Sequence, residues 1–107
     1  MDHARRDEFL RSVKSRLSAI YGQRLKGVVL FGSVARGDSG QDSDIDLLVL
    51  LDGNVQLAED VHRINLALYP LQLDHVEPIH AHPVDSRAFD AAEYSFLRNA
   101  KREGLRA

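Results

Sequence analysis

Cysteine is absent from the 107 residues of this chain. Disulfide bonds and thiolate-ligated metal sites are therefore excluded. Long apolar runs are absent too, since none approaches the ~18 residues that a membrane span needs. The N-terminal residues Met1–Arg6 are not followed by the apolar core of a signal peptide. These absences predict that the protein has no membrane partner, and by default they favour a cytoplasmic location.

A strong excess of charge of one sign is also missing, because the formal net charge is −2 at pH 7. No stripe of basic residues extends beyond the N-terminal region, which is predicted below to be a helix, so we expect no direct binding of nucleic acid. The hydrophobic fraction of 44% and the charged fraction of 28% are ordinary for a globular protein. A chain of this length suits one modest core, and residues 1–107 are predicted to form a single domain.

Acidic residues are concentrated in one segment, Asp38–Asp60, which contains neither lysine nor arginine. Crowded carboxylates repel one another unless a cation or solvent compensates their charge. A solvated acidic face is the expected role of five of them: Asp38, Asp42, Asp52, Glu59 and Asp60. The remaining two, Asp44 and Asp46, stand at the beginning of an apolar run and are treated separately below.

Hydrophobic periodicity predicts six elements in the order α-β-β-α-β-α. The predicted helices are Ala4–Tyr21, Val55–Leu68 and Phe89–Ala100. The predicted strands are Leu25–Phe31, Ile45–Leu51 and Leu71–Ile79. Continuous apolar character in the second strand indicates burial on both of its faces. This order predicts an α+β fold, or an α/β two-layer arrangement, with helices packed on a small mixed sheet of three or more strands.

Turn and cap residues mark the ends of these elements. Gly22 is a plausible C-cap for the first helix, and Asn54 is available as N-cap for the second. Pro70 is expected to end the second helix. The glycine-rich segment Gly32–Gly40 and the segment Ala81–Ser86 are predicted to be loops.

Asp44 and Asp46 are the first candidates for chemistry. On a strand, residues i and i+2 point the same way, so the two carboxylates can converge on one hard cation. Two unpaired carboxylates beside a fully apolar strand would be costly without such a partner. Oxygen ligands select Mg²⁺ or Mn²⁺, and Mg²⁺ usually takes one or two carboxylates together with substrate phosphates.

The loop that begins at Gly32 can supply the phosphate contacts. Glycine directly after an apolar strand lets the backbone turn sharply and approach a ligand closely. Backbone N–H groups and the Ser33 hydroxyl can then bind phosphate oxygens. Arg36 can neutralise phosphate charge or, alternatively, pair with Asp38. Together the loop and the strand predict a site for a metal–nucleoside triphosphate.

These motifs resemble a known signature. Gly32–Asp38 (GSVARGD), followed by Ser43–Val49 (SDIDLLV), is similar to the signature of the minimal nucleotidyltransferases within the DNA polymerase beta superfamily. The ending Phe96–Gly104 also resembles small stand-alone members. The resemblance implies a metal-dependent transfer of a nucleoside monophosphate, with AMP from ATP as the expected case and pyrophosphate as leaving group.

The resemblance also implies roles for individual residues. Gly32 and Ser33 would hold the triphosphate, with Arg36 and Ser43 assigned to nucleotide binding beside them. Asp44 and Asp46 would hold the metals.

A third carboxylate on a later strand would serve as base or as ligand of a second metal. Asp74 is the candidate, because it lies in the predicted third strand, and Glu77 is the alternative.

Four histidines raise the alternative of a zinc site: His62, His75, His80 and His82. Imidazole ligands at positions i and i+2, as in His80 and His82, can bind zinc together. No third ligand has a convincing spacing, however. A polar loop is therefore the preferred interpretation of this pair.

The acceptor of the nucleotidyl group is left open by the motifs. Small chains of this type resemble the antitoxin half of a toxin–antitoxin pair, whose partner is an all-helical toxin of the HEPN type. That resemblance implies adenylylation of a toxin side chain. The competing interpretation is a non-catalytic binding module that neutralises a partner toxin by covering its surface. Oligomer formation is possible under either interpretation.

Overall fold

A mixed β-sheet lies at the centre of the computed structural model, which describes residues 2–32 and 44–107. Its strands are β1 (Leu25–Phe31), β2 (Ile45–Leu51), β3 (Ile79–Asp85) and β4 (Leu105–Arg106). Their order across the sheet is β3-β2-β1-β4. The strand β1 is antiparallel to both β2 and β4, whereas β3 runs parallel to β2. The predicted mixed sheet of an α+β fold is confirmed.

Helices pack on both faces of this sheet. They are α1 (His3–Tyr21), α2 (Leu57–Leu73), α3 (Ser86–Ala91) and α4 (Ser95–Glu103). One core cluster joins α1 and α2 to the sheet, and a second cluster joins α3 and α4 to the opposite side. We call these two sides the α1–α2 face and the α3–α4 face. None of the helices within the described ranges combines the length and the apolar character needed to cross a bilayer.

The position of β2 in the fold explains why its sequence is so apolar. Ile45 and Leu47 belong to the core of the α1–α2 face, while Leu48 and Leu50 belong to the core of the α3–α4 face. All four side chains are fully buried. Because successive side chains alternate between the faces, a strand covered by helices on both sides needs apolar residues at nearly every position. The prediction of burial on both faces is confirmed.

The first helix and the first two strands agree with the sequence-based predictions. The helix α1 begins at His3, one residue before the predicted start, and its N-cap Asp2 accepts a hydrogen bond from the Arg5 amide at 2.8 Å. It ends at Tyr21, and Gly22 follows with a φ of 55°. Glycine adopts this left-handed conformation without steric cost, which explains why the helix stops there.

The predicted third strand, Leu71–Ile79, is wrong. The helix α2 continues through Pro70 to Leu73. Leu68 and Leu71 both pack in the core of the α1–α2 face, so the apolar stripe of the helix extends one turn beyond the predicted end. This burial outweighs the local helix-breaking tendency of proline.

The side chain of Gln72 organises the segment between α2 and β3. Its Nε2 donates to the carbonyl oxygens of His75 and Glu77 at 3.3 and 3.0 Å. Its Oε1 accepts from the amide of Ile79 at 2.8 Å. The strand β3 begins at that residue, so the predicted loop Ala81–Ser86 is also wrong over most of its length.

The C-terminal part of the chain forms two helices and a short strand, whereas one helix was predicted. The expected single helix is split into α3 and α4 at Ala92, which has a left-handed backbone with a φ of 51°. The helix α4 ends at Glu103, directly before Gly104. The strand β4, which pairs with β1, has only two residues and no sequence pattern that would reveal it.

The acidic segment contains one residue that contradicts its predicted role. Asp52 and Glu59 are exposed, as expected. Asp38 and Asp42 lie outside the described residues. Asp60, by contrast, is only 1% exposed, so the prediction that it belongs to a solvated face is wrong.

Hydrogen bonds compensate the burial of Asp60. Its Oδ1 accepts from the hydroxyl of Tyr21 on α1 at 2.7 Å. Its Oδ2 accepts from the amide of Gln56, the N-cap of α2, at 2.8 Å. The predicted N-cap Asn54 does not fill that role. The carboxylate thus closes the first turn of α2 and ties α2 to α1.

Candidate active site

Asp46 lies near the start of β2, on the α3–α4 face of the sheet. The alternation along the strand sets this direction, because Leu48 and Leu50 share that face while Ile45 and Leu47 point to the other one. Asp44 directly precedes the strand, two residues before Asp46, and its charge acts on the Asp46 carboxyl. The structure therefore brings the two carboxylates together, as the i, i+2 spacing predicts.

Gly32 adjoins this pair at the end of β1. Phe31 is the cross-strand partner of Asp46, so the next residue, Gly32, turns away directly beside the carboxylate. Its φ is 82°, and a Cβ atom added there would lie 3.0 Å from the Asp46 Oδ2. A larger residue would be strained and would also press on the carboxylate. The backbone of the predicted loop thus starts next to the predicted metal ligands.

Three of the predicted nucleotide-binding residues, Ser33, Arg36 and Ser43, lie outside the described residues. They belong to the segment that joins Gly32 to Asp44 along the chain. Their assignment to phosphate binding therefore stays a prediction.

Asp74 does not lie on the third strand, and this prediction is wrong. It is the C-cap of α2, where its amide donates to the carbonyl oxygen of Leu71 at 3.1 Å. The neighbouring ring of His75 packs edge-on against Phe9 of α1, with 4.9 Å between the ring centroids. Asp74 thus belongs to the layer on the α1–α2 face, and the sheet separates that layer from the face of Asp46. The alternative, Glu77, precedes β3 and is not on the strand either.

His80 and His82, which the sequence analysis placed in a polar loop, are the strand residues that stand beside Asp46. In the parallel register His80 is the partner of Asp46, and His82 is the partner of Leu48. Ile79 packs in the core of the α1–α2 face, so the alternation places both histidines on the α3–α4 face. The loop interpretation of the pair is therefore wrong. The alternation of apolar and polar residues over Ile79–His82 was the signal that could have identified this strand.

His80 contacts the carboxylate pair directly. Its Nε2 lies 3.1 Å from the Oδ2 of Asp44, and each of these two side chains is 49% exposed. An imidazole that donates from Nε2 to a carboxylate oxygen fixes the orientation of that carboxylate. The strand β3 thus contributes imidazoles where the sequence analysis expected a third carboxylate.

The electrostatics of the site centre on Asp46. Burial raises the pKa of its carboxyl group. The charge of His80 lowers that pKa, the charge of Asp44 raises it, and the charge of His82 lowers it. A bound cation would relieve both the repulsion between the carboxylates and the cost of burying Asp46.

The donor set fits a divalent cation that is shared with a ligand. Within residues 2–32 and 44–107, no three histidine, aspartate or glutamate side chains converge closely enough to hold a metal ion by themselves. Two adjacent carboxylates are nevertheless what Mg²⁺ commonly takes from a protein when phosphate oxygens complete its coordination. The chemistry of Asp44 and Asp46 therefore fits such a cation, whose remaining ligands would be phosphate oxygens or other groups beyond this pair.

Comparison with known proteins places this geometry in a family. The family model described as "Nucleotidyltransferase domain" matches residues 7–104. Two proteins of Methanocaldococcus jannaschii, both named "putative protein adenylyltransferase", are similar to the chain. One is 31% identical over 97 residues, which cover 91% of this chain and 88% of the relative. The other is 38% identical over 68 residues, which cover 63% of this chain and 69% of the relative.

A solved structure is similar in fold. It is the crystal structure of a "putative nucleotidyltransferase" from Sulfolobus solfataricus, with a TM-score of 0.53. The match covers 92% of this chain and 78% of that chain, at 22% sequence identity. At this identity the similarity establishes the fold alone.

Proposed function

This chain belongs to the nucleotidyltransferase domain family, and on this ground we propose that it adenylylates a partner protein, with ATP as donor and Mg²⁺ or Mn²⁺ at Asp44 and Asp46. Nucleotidyl transfer follows from the family. The metal, the nucleotide and the protein acceptor are the proposed parts. The observation that carries the metal and the nucleotide is the Asp46 carboxylate beside Gly32, with the charge of Asp44 acting on it.

The described residues have separable tasks in this proposal. Asp44 and Asp46 supply the carboxylate oxygens for the cation, and His80 orients Asp44 through its Nε2. Gly32 lets the backbone of the phosphate-binding loop begin close to Asp46. When bound, the cation would neutralise phosphate charge and polarise the phosphoryl centre.

The transfer is a displacement at the α-phosphorus. A hydroxyl oxygen of the acceptor forms the new bond, and the bond to pyrophosphate breaks. The hydroxyl proton passes to a base. On β3 the imidazoles of His80 and His82 stand at the place where a third carboxylate was expected, and they are the basic groups that this strand offers beside Asp46.

An exposed apolar surface supports a protein as binding partner. Leu66, Tyr69 and Leu73 follow one another at helical spacing on α2 and are 64%, 60% and 68% exposed. Ile20 on α1 lies beside Leu66 along one cavity and is 47% exposed. Contiguous exposed apolar residues commonly mark a protein-binding surface. We propose a HEPN-type toxin as the partner, in keeping with the resemblance to the antitoxins of toxin–antitoxin pairs.

The decisive experiment uses ATP labelled on its α-phosphorus and the protein that is co-encoded with this chain. We expect metal-dependent label on the partner, located to a side chain by mass spectrometry, and no label with the Asp46→Asn variant. Asp52→Asn is the matched control, because Asp52 is exposed at the far end of β2. An unlabelled partner under every nucleotide and metal tried would refute the transfer.

A non-catalytic binding module is the second candidate. The exposed apolar residues of α2 support it equally well, and β3 carries imidazoles instead of a carboxylate beside Asp46. This candidate predicts that the unlabelled partner still binds tightly and that Leu66→Asp breaks the complex. Under this alternative, Asp46→Asn would leave neutralisation of the partner intact.

A further inference from the structure

A small cavity opens beside Gly32 on the α3–α4 face of the sheet. Its volume is about 220 Å³. The strand β1 and the helix α4 form its walls, through Phe31, Gly32, Phe96, Asn99, Ala100 and Glu103. Complete ligand pockets usually measure roughly 300–1,000 Å³. A cavity of this size therefore suits one ring system of a ligand and not a whole nucleotide.

An aromatic wall is the main feature of this cavity. Phe96 is 48% exposed, although large aromatic side chains are mostly buried. Its ring meets the ring of Phe31 at an angle of 64°, with 6.1 Å between the centroids. That edge-to-face contact holds the Phe96 ring in a fixed orientation while part of its surface remains accessible. An oriented and accessible ring is a suitable platform for stacking by a flat ligand.

The cavity adjoins the carboxylate site through Gly32. Gly32 lines the cavity, and a Cβ at Gly32 would lie only 3.0 Å from the Asp46 Oδ2. Phe31 is both a wall of the cavity and the cross-strand partner of Asp46. A ligand with phosphates at Asp46 can therefore place its other end in the cavity.

We propose that this cavity holds the nucleobase of the nucleoside triphosphate, stacked on Phe96. The proposal rests on the proposed nucleotide binding and adds the position of the base to it. Asn99 can contribute a polar contact, because its Oδ1 accepts from Arg102 at 3.2 Å and no hydrogen bond within residues 2–32 and 44–107 uses its side-chain N–H donors, which suit a ring nitrogen. Stacking on an aromatic side chain tolerates every base, because each base has a π-face.

The test compares Phe96→Ala with Tyr94→Ala. Tyr94 is a matched control, because it is an aromatic residue 64% exposed near the start of α4 and is not part of the cavity wall. Calorimetry would measure the affinity for ATP and for inorganic triphosphate, each with Mg²⁺. We expect Phe96→Ala to weaken ATP binding about tenfold or more, since stacking contributes roughly 5- to 150-fold in affinity. Triphosphate binding should stay unchanged, and Tyr94→Ala should change neither affinity.

A second readout reports stacking itself. The triphosphate of 2-aminopurine riboside fluoresces in water and is quenched when its base stacks, and the chain has no tryptophan to interfere. We expect quenching with the parent protein, release of quenching with Phe96→Ala and its recovery with Phe96→Tyr. Thermal melting confirms that each variant is folded.

The outcomes separate this proposal from the proposed function. If Phe96→Ala binds and transfers ATP like the parent, the base lies elsewhere and this proposal is overturned while the transferase function stands. Equal losses of ATP and triphosphate affinity would also overturn it, because Phe96 would then support the fold of the site. If the parent binds neither ATP nor triphosphate, both proposals fail.

Discussion

The imidazole of His80 reaches from β3 to the carboxylate that precedes β2, with its Nε2 3.1 Å from the Oδ2 of Asp44. Both side chains are about half exposed, so a ligand can approach the pair from solvent. The contact joins β3 to the residue that precedes β2, within the Ser43–Val49 part of the sequence motif. It makes His80 a positioning residue for Asp44, a role that can be measured apart from catalysis.

Removing the His80 imidazole should weaken metal binding. We expect His80→Ala to lower the affinity for Mn²⁺, measured by electron paramagnetic resonance in the presence of ATP, by about tenfold or more, since the loss of a group that orients a metal ligand typically has this effect. His62→Ala is the control, because His62 lies exposed on α2. Unchanged Mn²⁺ affinity in His80→Ala would show that Asp44 needs no such support.

Two glycine variants separate backbone strain from damage to the site. Gly32 and Gly53 both have positive φ values, of 82° and 94°. Each alanine variant should lose about 1–3 kcal/mol of unfolding free energy, because alanine is strained in this conformation. Only Gly32→Ala places its Cβ 3.0 Å from the Asp46 Oδ2, whereas Gly53→Ala has no atom within 4 Å.

Thermal melts with and without MgATP measure both effects in the glycine variants. We expect MgATP to raise the melting temperature of Gly53→Ala as it does for the parent, and to have little effect on Gly32→Ala. Equal stabilisation of the two variants would contradict the close approach of Gly32 to the ligand site.

Asp74 should be dispensable for nucleotidyl transfer. Its side chain belongs to the end of α2, in the layer on the α1–α2 face, whereas Asp46 lies on the other face of the sheet. We expect Asp74→Asn to label the partner protein at the parental rate and Asp46→Asn to abolish labelling. Loss of transfer with intact ATP binding in Asp74→Asn would contradict the structure and restore Asp74 as a catalytic carboxylate.

The buried contact between Tyr21 and Asp60 predicts a pH dependence of stability. Burial alone would raise the pKa of Asp60, but the hydrogen bonds from Tyr21 and Gln56, together with nearby arginines, hold it below the ordinary value of 3.8. An acid with a lowered folded-state pKa stabilises the protein above its ordinary pKa. That contribution is lost as the pH falls through the folded-state pKa.

Removing the Tyr21 hydroxyl tests this dependence. We expect Tyr21→Phe to cost about 1.5–3 kcal/mol at pH 7, as for a hydrogen bond to a charged group. The difference from the parent should begin to shrink as the pH falls below about 4, the ordinary pKa of an aspartate, and should continue to shrink as the pH approaches the lower folded-state pKa of Asp60. Urea unfolding between pH 7 and pH 3 measures it. A constant difference in unfolding free energy between pH 7 and pH 3 would mean that the Tyr21 hydroxyl does not stabilise the ionised form of Asp60.

Local sequence patterns were sufficient to predict α1, β1 and β2. The apolar spacing of α1 and the β-rich runs of β1 and β2 each indicate one structure, and the i, i+2 spacing of Asp44 and Asp46 fixes their common direction. The approach of Gly32 to Asp46 also follows from the motif, since Gly32 follows the end of β1 and Asp46 lies near the start of β2, and these strands are neighbours in the sheet.

The third strand could not be located from local patterns, because two long-range effects decide it. Leu71 is partly buried against the core of the α1–α2 face, and this packing extends the helix past Pro70. The side chain of Gln72 then binds the segment that leads to Ile79. Because β3 begins at Ile79 and not at Leu71, the parallel register pairs His80, and not Asp74, with Asp46. The wrong prediction of the strand therefore caused the wrong prediction of the third site residue.

The position of β2 inside the sheet determines how rarely its backbone opens to solvent. Hydrogen bonds to β1 and to β3 occupy both of its edges, and helices cover both of its faces. Segments with such protection exchange their amide hydrogens mainly through the rarest, most complete openings of a protein. The amides of β2 should therefore exchange among the slowest in the chain. Asp46 is anchored to this strand, so its position should persist while helix ends and loops fluctuate around it.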